Sequence, residues 1–402
     1  MDSKYIELLI NNCLNLSEGK SVFIHYSVEN EDFVRKLSDE IRKYGIDDIY
    51  YSKEDIYLIH DFLLNNDMDA IRSSSLFDQS IWDVYAKKKA CFLILETEYP
   101  HVMDDVDEAK IGFSSKIRRE SRPIYRKMVE RCELDWCIAA YPGKVWANDI
   151  FKNDDRAYDK LRDAIFRCCM LDKDNPVDSW NKHLDKQSKI IGVLNKLDIE
   201  KLVYSNSLGT NLNIYLPRNY LFSSAKDRNV IVNMPSYEVF TSPIYNKTEG
   251  IVYSSRPLMY NGALIDEFWI KFSCGKVVSY DAKIGKEVLK SIIDSDGNSC
   301  YLGECALVEK TSPITLENII FGTTLFDENA SCHLALGAGF PECIVGGLEK
   351  SDEELLKSGV NVSSNHVDFM IGTDDLSIVG VTRDGKEIEI FVNGEFSRDL
   401  LC

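Results

Sequence analysis

Residues 90–96 read ACFLILE, a continuous apolar run that predicts a strand covered on both faces. Residues 21–26, SVFIHY, form a short β-branched run after the turn Glu18–Lys20 and predict another strand. Residues 29–44 follow it with helical spacing, because Phe33, Leu37 and Ile41 fall on one face. This alternation of strand and helix predicts a doubly wound, mostly parallel sheet in the first half of the chain.

The alternation continues on either side of residues 90–96. Residues 47–52 and 134–140 predict further strands, and residues 114–132 and 156–170 predict helices. No GxGxxG motif follows the first strand, so the pattern gives no reason to expect a dinucleotide site.

The pattern changes at a polar stretch, DKDNPVDSWNKHLDKQ, over residues 172–187. Beyond it the sequence predicts a helix over 284–294 and strands over 201–205, 211–216, 230–234, 267–273, 376–381 and 387–392. We therefore predict two domains: an α/β N-terminal domain over 1–185 and a strand-rich α+β domain over 186–402.

The composition of the 402 residues excludes some partners. With 65 acidic and 47 basic side chains, the net charge is −18, which disfavours nucleic acid and anionic membrane surfaces. No apolar run approaches the length of a membrane span. The 12 cysteines form no CxxC pair, and the first residues, MDSKYIELLINN, do not resemble a secretory signal. These observations predict a cytoplasmic protein.

Two short stretches of the second half are rich in side chains that bind divalent metals. They are residues 325–333, LFDENASCH, and residues 365–368, NHVD. His366 and Asp368 are two residues apart, so on a strand they point to one side. Two further glutamates lie upstream, which gives a set with the composition of a site for two divalent ions: Glu238, Glu304, Glu328, His333, His366 and Asp368.

The cluster carries this interpretation, since a single histidine or glutamate is more often structural than functional. The other four histidines, His25, His60, His101 and His183, are interpreted as structural or surface residues. If the six side chains form one site, the sequence predicts a metal-dependent hydrolase.

Four blocks carry a resemblance that extends over nearly the whole chain. They are NMPSYEVFTSP at 233–243, LGECALV at 302–308, SPITLENIIFGTTLFDENASCHLALGAGFP at 312–341 and NVSSNHVDFMIG at 361–372. In sequence and order these blocks resemble the M29 family of metallo-aminopeptidases. The resemblance implies that all six side chains are metal ligands and that Glu304 bridges the two ions.

The resemblance also implies the chemistry and the setting of the site. All six candidate ligands fall within 186–402, the predicted metal-binding catalytic domain, and the proton acceptor is left open between Glu304 and Glu238. The resemblance implies two divalent ions per chain (zinc, cobalt, manganese or magnesium). It implies a cytoplasmic homodimer whose substrates are peptides with a free N-terminus, from which the first residue is released.

Two positions depart from the family pattern. The family commonly has a tyrosine seven residues after the histidine of LFDENASCH, where this chain has Phe340. It usually has a small or acidic residue before the first glutamate, where this chain has Tyr237. Two alternatives therefore stay open: a metal-binding relative with little catalysis, and another dinuclear hydrolase, such as a carboxypeptidase or an amidase.

Overall fold

A computed structural model describes residues 1–17, 19–227, 230–260 and 262–400 of the chain. The chain divides into two compact units. The first comprises Met1–Trp180 and Lys226–Pro235, and the second comprises Asn181–Ala225 and Ser236–Cys402. The predicted division into functional domains at 1–185 and 186–402 stays a prediction.

A parallel sheet forms the centre of the first unit. Its strands pair in the spatial order Ile49–Glu54, Val22–Ser27, Cys91–Glu96, Trp136–Ala140 and Asn233–Met234. The register sets Phe92 between Phe23 and Trp136. Because Phe23 and Phe92 are both fully buried, the apolar run at 90–96 is an interior strand, as its composition predicts.

Helices and short turns connect these strands. Trp82, on one of the helices, packs against Phe23 with ring centroids 4.5 Å apart, and Tyr125 completes the same cluster. The α-helices of this unit are Asp2–Leu8, Glu31–Arg42, Ile56–Asn65, Met68–Lys87, Glu108–Glu120, Pro123–Glu130, Lys144–Ile150 and Ala157–Cys168. The unit also contains a π-helical segment at Leu9–Cys13, a 3-10 turn at Val28–Asn30 and a small hairpin of Lys226–Asp227 with Val230–Ile231.

The prediction of one helix over 114–132 is wrong. Helix Glu108–Glu120 begins after Asp107, whose carboxylate accepts the N–H of Ala109 at 2.8 Å. A separate helix, Pro123–Glu130, begins at the proline. Proline has no N–H to donate and its ring clashes with the preceding turn, so it starts a helix more readily than it continues one.

The second unit contains a large antiparallel sheet. Lys276–Ile284 pairs with its longest strand, Ala263–Ser273. The remaining order is Leu258–Tyr260, Ala263–Ser273, Glu249–Tyr253, Asn211–Tyr215, Ile199–Ser205, Ser377–Thr382, Glu387–Val392 and Glu395–Phe396.

A second antiparallel sheet of this unit is called the site sheet here. Its strands pair in the order Ser223–Ser224, Val239–Thr241, Leu302–Leu307, His333–Gly337 and His366–Met370. One hydrophobic core joins the two sheets: Phe369 packs on Phe268 at 5.7 Å between ring centroids, and Leu334 and Val367 belong to the same core. Each fully buried side chain of this size contributes about 1.5–3 kcal/mol.

Helices and 3-10 turns complete the second unit. Helix Pro176–Leu194 contains the boundary between the units. The others are helices Lys286–Ile293, Pro313–Glu317, Thr324–Asp327 and Asp352–Ser358, and 3-10 turns Glu328–Ala330, Pro341–Cys343, Gly347–Glu349 and Arg398–Leu400.

These sheets confirm the predicted fold class, an α/β part with a parallel sheet and a strand-rich α+β part. Within the described ranges, every helix is too short or too polar to cross a membrane.

Candidate metal centre

The site sheet brings the predicted ligands together because strand side chains alternate between faces. Leu334, Val367 and Phe369 point into the core between the sheets. The intervening His333, His366 and Asp368 therefore lie on the opposite face.

The register fixes the spacing of the ligands across this face. Ala335 stands opposite both Glu304 and Asp368, so a single small side chain separates the two carboxylates. Ala306, likewise small, stands opposite His333 on the neighbouring strand.

The first cluster of ligand atoms is called the buried donor group and consists of Glu238, Glu304 and His333. Their donor atoms all lie within 4.8 Å of one another. His333 Nε2 lies 3.1 Å from Glu238 Oε2, and the two side chains expose only 1% and 8% of their surface. His333 Nδ1 lies 3.1 Å from the carbonyl oxygen of Ser331, so Nδ1–H donates there and leaves Nε2 facing the carboxylates.

The second cluster, the open donor group, consists of Glu304, His366 and Asp368 and meets the same 4.8 Å limit. His366 Nε2 lies 3.2 Å from Glu304 Oε2 and 3.3 Å from Asp368 Oδ1. Its Nδ1 is 2.8 Å from the carbonyl oxygen of Ala338, which fixes the same orientation as in His333. His366 exposes 27% of its side chain, and Glu304 belongs to both groups.

Glu328 is buried beside these groups without being part of either cluster. Burial raises its pKa well above the usual range, and the charges of Asp368 and Glu238 raise it further. Asn329 Nδ2 donates to Glu328 Oε1 at 3.3 Å. Glu328 is therefore within electrostatic reach of both groups, and its assignment as a metal ligand stays a prediction.

Burial and neighbouring charges have opposite effects on the pKa values of several side chains in the site. Burial raises the pKa of Glu304 to about 7, although its hydrogen bond with His366 acts in the other direction. Burial alone would lower the pKa of His333, but the hydrogen bond and charge of Glu238 raise it well above the ordinary histidine value. Asp368 is also desolvated, yet the charge and hydrogen bond of His366 bring its pKa down to about 2.

The donor set fits divalent cations. Asp368 Oδ1 is buried and is paired with His366 Nε2 at 3.3 Å, and a buried carboxylate of this kind is stabilised further by a bound cation. Two imidazole Nε2 atoms and several carboxylate oxygens converge there, a mixture that suits zinc and its neighbours. Carboxylates that repel one another when ionised are stabilised together by a divalent ion.

Comparison with known proteins also indicates a metal-dependent enzyme. The model of the family described as "Thermophilic metalloprotease (M29)" matches residues 2–396. The chain belongs to the M29 family. It is 35% identical to "Aminopeptidase 2" of Geobacillus stearothermophilus, with 99% of this chain and 98% of that protein covered. It is 32% identical to "Aminopeptidase PepS" of Streptococcus thermophilus, with 98% and 97% covered.

A solved structure of the M29 family has the same fold. "Wild-type AmpT from Thermus thermophilus" superposes with a TM-score of 0.90 at 27% identity, covering 98% of each chain. The family and the names of its members confirm the predicted enzyme class, a metallo-aminopeptidase that hydrolyses peptide bonds.

The two positions that depart from the M29 pattern lie next to the ligands. The ring centroid of Phe340 is 5.1 Å from that of His366, in the open donor group. Tyr237 directly precedes Glu238, and its ring centroid is 5.0 Å from that of His183. The sequence predicts a structural or surface role for His183, and the structure places its ring beside the segment that carries Glu238.

The sequence interpretation missed the residues that hold the ligands in position. Gln187 Nε2 donates to the carbonyl oxygen of Glu238 at 2.9 Å, and Asn329 Oδ1 accepts the N–H of Tyr237 at 2.8 Å. Asp296 holds the loop before His366, because Oδ2 accepts both the N–H of Ser364 at 2.7 Å and its hydroxyl at 2.8 Å. Asn329 lies within the LFDENASCH block and could have been found there, whereas the other two are distant in sequence.

Proposed function

We propose that this M29 enzyme is an aminopeptidase that uses two divalent ions, held by Glu238, Glu304, Glu328, His333, His366 and Asp368. The observation that carries the proposal is that Glu304 belongs to two adjacent clusters of ligand atoms. A carboxylate shared in this way is suited to bridge two ions. The candidate ions are zinc, cobalt, manganese and magnesium, in keeping with the mixed nitrogen and oxygen donors.

Two divalent ions would supply an activated water and polarise the scissile carbonyl group. The residues of the chain then have distinct tasks. His333 and His366 keep Nε2 toward the site because Nδ1–H is donated to a backbone carbonyl. Glu304 or Glu238 accepts the proton of the attacking water and returns it to the leaving amine.

We propose that the substrates are peptides with a free N-terminus. A free α-amine could bind one of the two ions or a nearby carboxylate of the site, whereas an acylated amine offers neither a lone pair nor a positive charge. The names of the relatives, all aminopeptidases, support the same substrate class. The strand-rich part of the chain, 186–402, would then be the catalytic domain and 1–185 an accessory domain.

The test is to measure metal content and peptidase activity on one preparation. The enzyme is assayed as purified, after chelation, and after addition of zinc, cobalt, manganese or magnesium, with leucyl and N-acetyl-leucyl peptides as substrates. We expect about two ions per chain and chelator-sensitive release of the free N-terminal residue only. Equal cleavage of the acetylated peptides would favour an amidase and contradict the proposal.

Phe340 keeps one alternative open, a metal-binding family member with little catalysis. Its ring lies against His366 and offers no hydroxyl group to a substrate or ion. Bound metal without turnover on a broad panel of unblocked peptides would favour this alternative.

We further propose a cytoplasmic homodimer, which rests on the resemblance to the family alone. Light scattering of the purified chain tests the dimer. A monomer with full activity would contradict it.

A further inference from the structure

The second unit contains a cavity of about 70 Å³ whose lining includes none of the six candidate ligands. This volume corresponds to roughly two water molecules, so it would accommodate a small ion. Its polar lining includes two cationic side chains, Arg256 and Lys310, and the hydroxyl-bearing residues Thr315, Ser331 and Thr373. The carboxylate-bearing residue of the lining is Asp374, which is exposed.

Arg256 is a partly buried cation without a close counterion. Among the described residues, no carboxylate lies within 4.0 Å of its guanidinium group. The charge of Asp327 acts on Arg256, but the Asp327 oxygens already accept the N–H groups of Phe321 and Gly322 at 2.8 Å each. Burial lowers the pKa of Arg256, although a guanidinium remains charged at any ordinary pH.

Lys310 adds a second positive charge with unused donors. Its Nζ donates to the carbonyl oxygen of Asp374 at 3.3 Å, which leaves two of the three ammonium protons for another acceptor. A guanidinium and an ammonium group on one small cavity match an oxyanion, since each oxygen can accept from a different donor.

The wall of this cavity is connected to the buried donor group. Ser331 lines the cavity, and its carbonyl oxygen is the acceptor for His333 Nδ1. Its hydroxyl oxygen accepts the N–H of Gly372, another lining residue, at 2.9 Å. A Cβ atom at Gly372 would lie 2.5 Å from Ser331 Oγ, so the wall is closely packed and an occupant would restrain it.

We propose that this cavity binds a small oxyanion, a phosphate or a carboxylate, through Arg256 and Lys310. An occupant restrains Ser331 and, through its carbonyl oxygen, the orientation of His333. The anion is therefore a ligand outside the two donor groups that slows loss of metal from the buried donor group. This inference concerns binding and metal retention, and it holds whichever peptides the enzyme cleaves.

The test is calorimetric titration of the metal-loaded full chain with phosphate and, separately, with acetate, at constant ionic strength set by chloride. We expect saturable binding of at least one anion, and the stronger of the two identifies the ligand class. Arg256→Gln should weaken that binding at least tenfold, and Lys310→Gln provides a second variant should the first fold poorly. Arg218→Gln, which removes an exposed cation of the same unit, should leave binding unchanged.

A second measurement follows the rate at which a chelator removes metal. The preferred anion should slow metal release from the wild-type chain and should have no effect on the Arg256→Gln variant. No saturable binding, or equal binding by wild type and Arg256→Gln, would overturn the proposed site. Binding that leaves the release rate unchanged would overturn the connection to His333.

Discussion

The two donor groups share Glu304 but differ in their access to solvent. His333 exposes 1% of its side chain and His366 exposes 27%, although both face carboxylates at 3.1–3.3 Å. The buried donor group is held within the protein and suits a permanently retained ion. Under the proposed function, the open donor group would be the side from which a peptide approaches. The sequence motifs give no indication that the two groups differ in solvent exposure, and this difference is visible only in the fold.

Replacement of the shared residue should affect both groups at once and have the largest effect. Glu304→Gln keeps the shape of the side chain but removes the charge that both groups use. We expect kcat/KM to fall by about a thousandfold or more, with loss of bound metal. Steady-state kinetics and metal analysis check this, with Glu353→Gln, an exposed glutamate of the same unit, as the control. Full turnover with full metal content in Glu304→Gln would contradict the assignment of Glu304 as a ligand shared by both groups.

Removal of each histidine should separate the groups by their effect on stability. In the metal-free enzyme, His333→Ala leaves buried Glu238 without its partner, so we expect a loss of about 3–5 kcal/mol in the free energy of unfolding. His366→Ala also removes the partner of buried carboxylates, Glu304 and Asp368, but the side chain is 27% exposed, so water can take its place and the loss should be smaller than for His333→Ala. Urea unfolding of both variants measures the difference. Equal losses would mean that the contrast in exposure has no energetic consequence.

The residues that position the ligands should affect one group each. Asn329→Ala removes the contacts that tie Tyr237 and Glu328 together, and Asp296→Ala releases the loop before His366. We expect metal affinity to fall about 10–100-fold in each variant. Metal titrations should show that one donor group binds metal more weakly while the other keeps its affinity. An equal decrease in affinity at both donor groups would indicate general unfolding.

The pH dependence of the metal-free enzyme follows from Glu304. Its pKa is about 7 in the folded chain against 4.5 ordinarily, so the folded state binds the extra proton between these values. Stability relative to Glu304→Gln should therefore fall as pH rises from 4.5 to about 7. Asp368, with its pKa lowered to about 2, contributes stability that is lost only as pH falls below 3.8. Thermal unfolding measured from pH 2 to pH 7 checks both pH dependences. If the stability difference between the wild-type chain and Glu304→Gln did not change with pH, the prediction for Glu304 would be contradicted.

Local sequence patterns predicted many of the strands and helices, but they could not predict contacts between residues that are distant in sequence. The run at 90–96 identified an interior strand from its composition, and His366 and Asp368 were correctly expected on one side of a strand. The strand predicted over 230–234 is divided, and Asn233–Met234 joins the parallel sheet beside Trp136–Ala140, which no local pattern encodes. Gln187 is likewise 51 residues from its partner Glu238, so its role became visible only in the folded chain.

The smallest expected effect concerns the open donor group alone. Phe340 stands where the M29 family commonly has tyrosine, and its ring centroid is 5.1 Å from that of His366. The side chain is partly exposed, so Phe340→Tyr should place a hydroxyl group at the open side without disturbing the core. If that hydroxyl donates a hydrogen bond to the developing oxyanion, kcat should rise up to about tenfold with metal content unchanged, as one such bond is worth about 1–1.5 kcal/mol.

Phe240→Tyr provides the matched control for this variant. Its ring packs on Phe340 at 5.1 Å but is buried in the small cluster with Ala306 and Cys343, so a hydroxyl there should lower stability without raising kcat. An unchanged kcat in Phe340→Tyr would mean that the open donor group works without a hydroxyl at this position. The difference in access between the two groups would then be attributed to the partly exposed side chain of His366 itself.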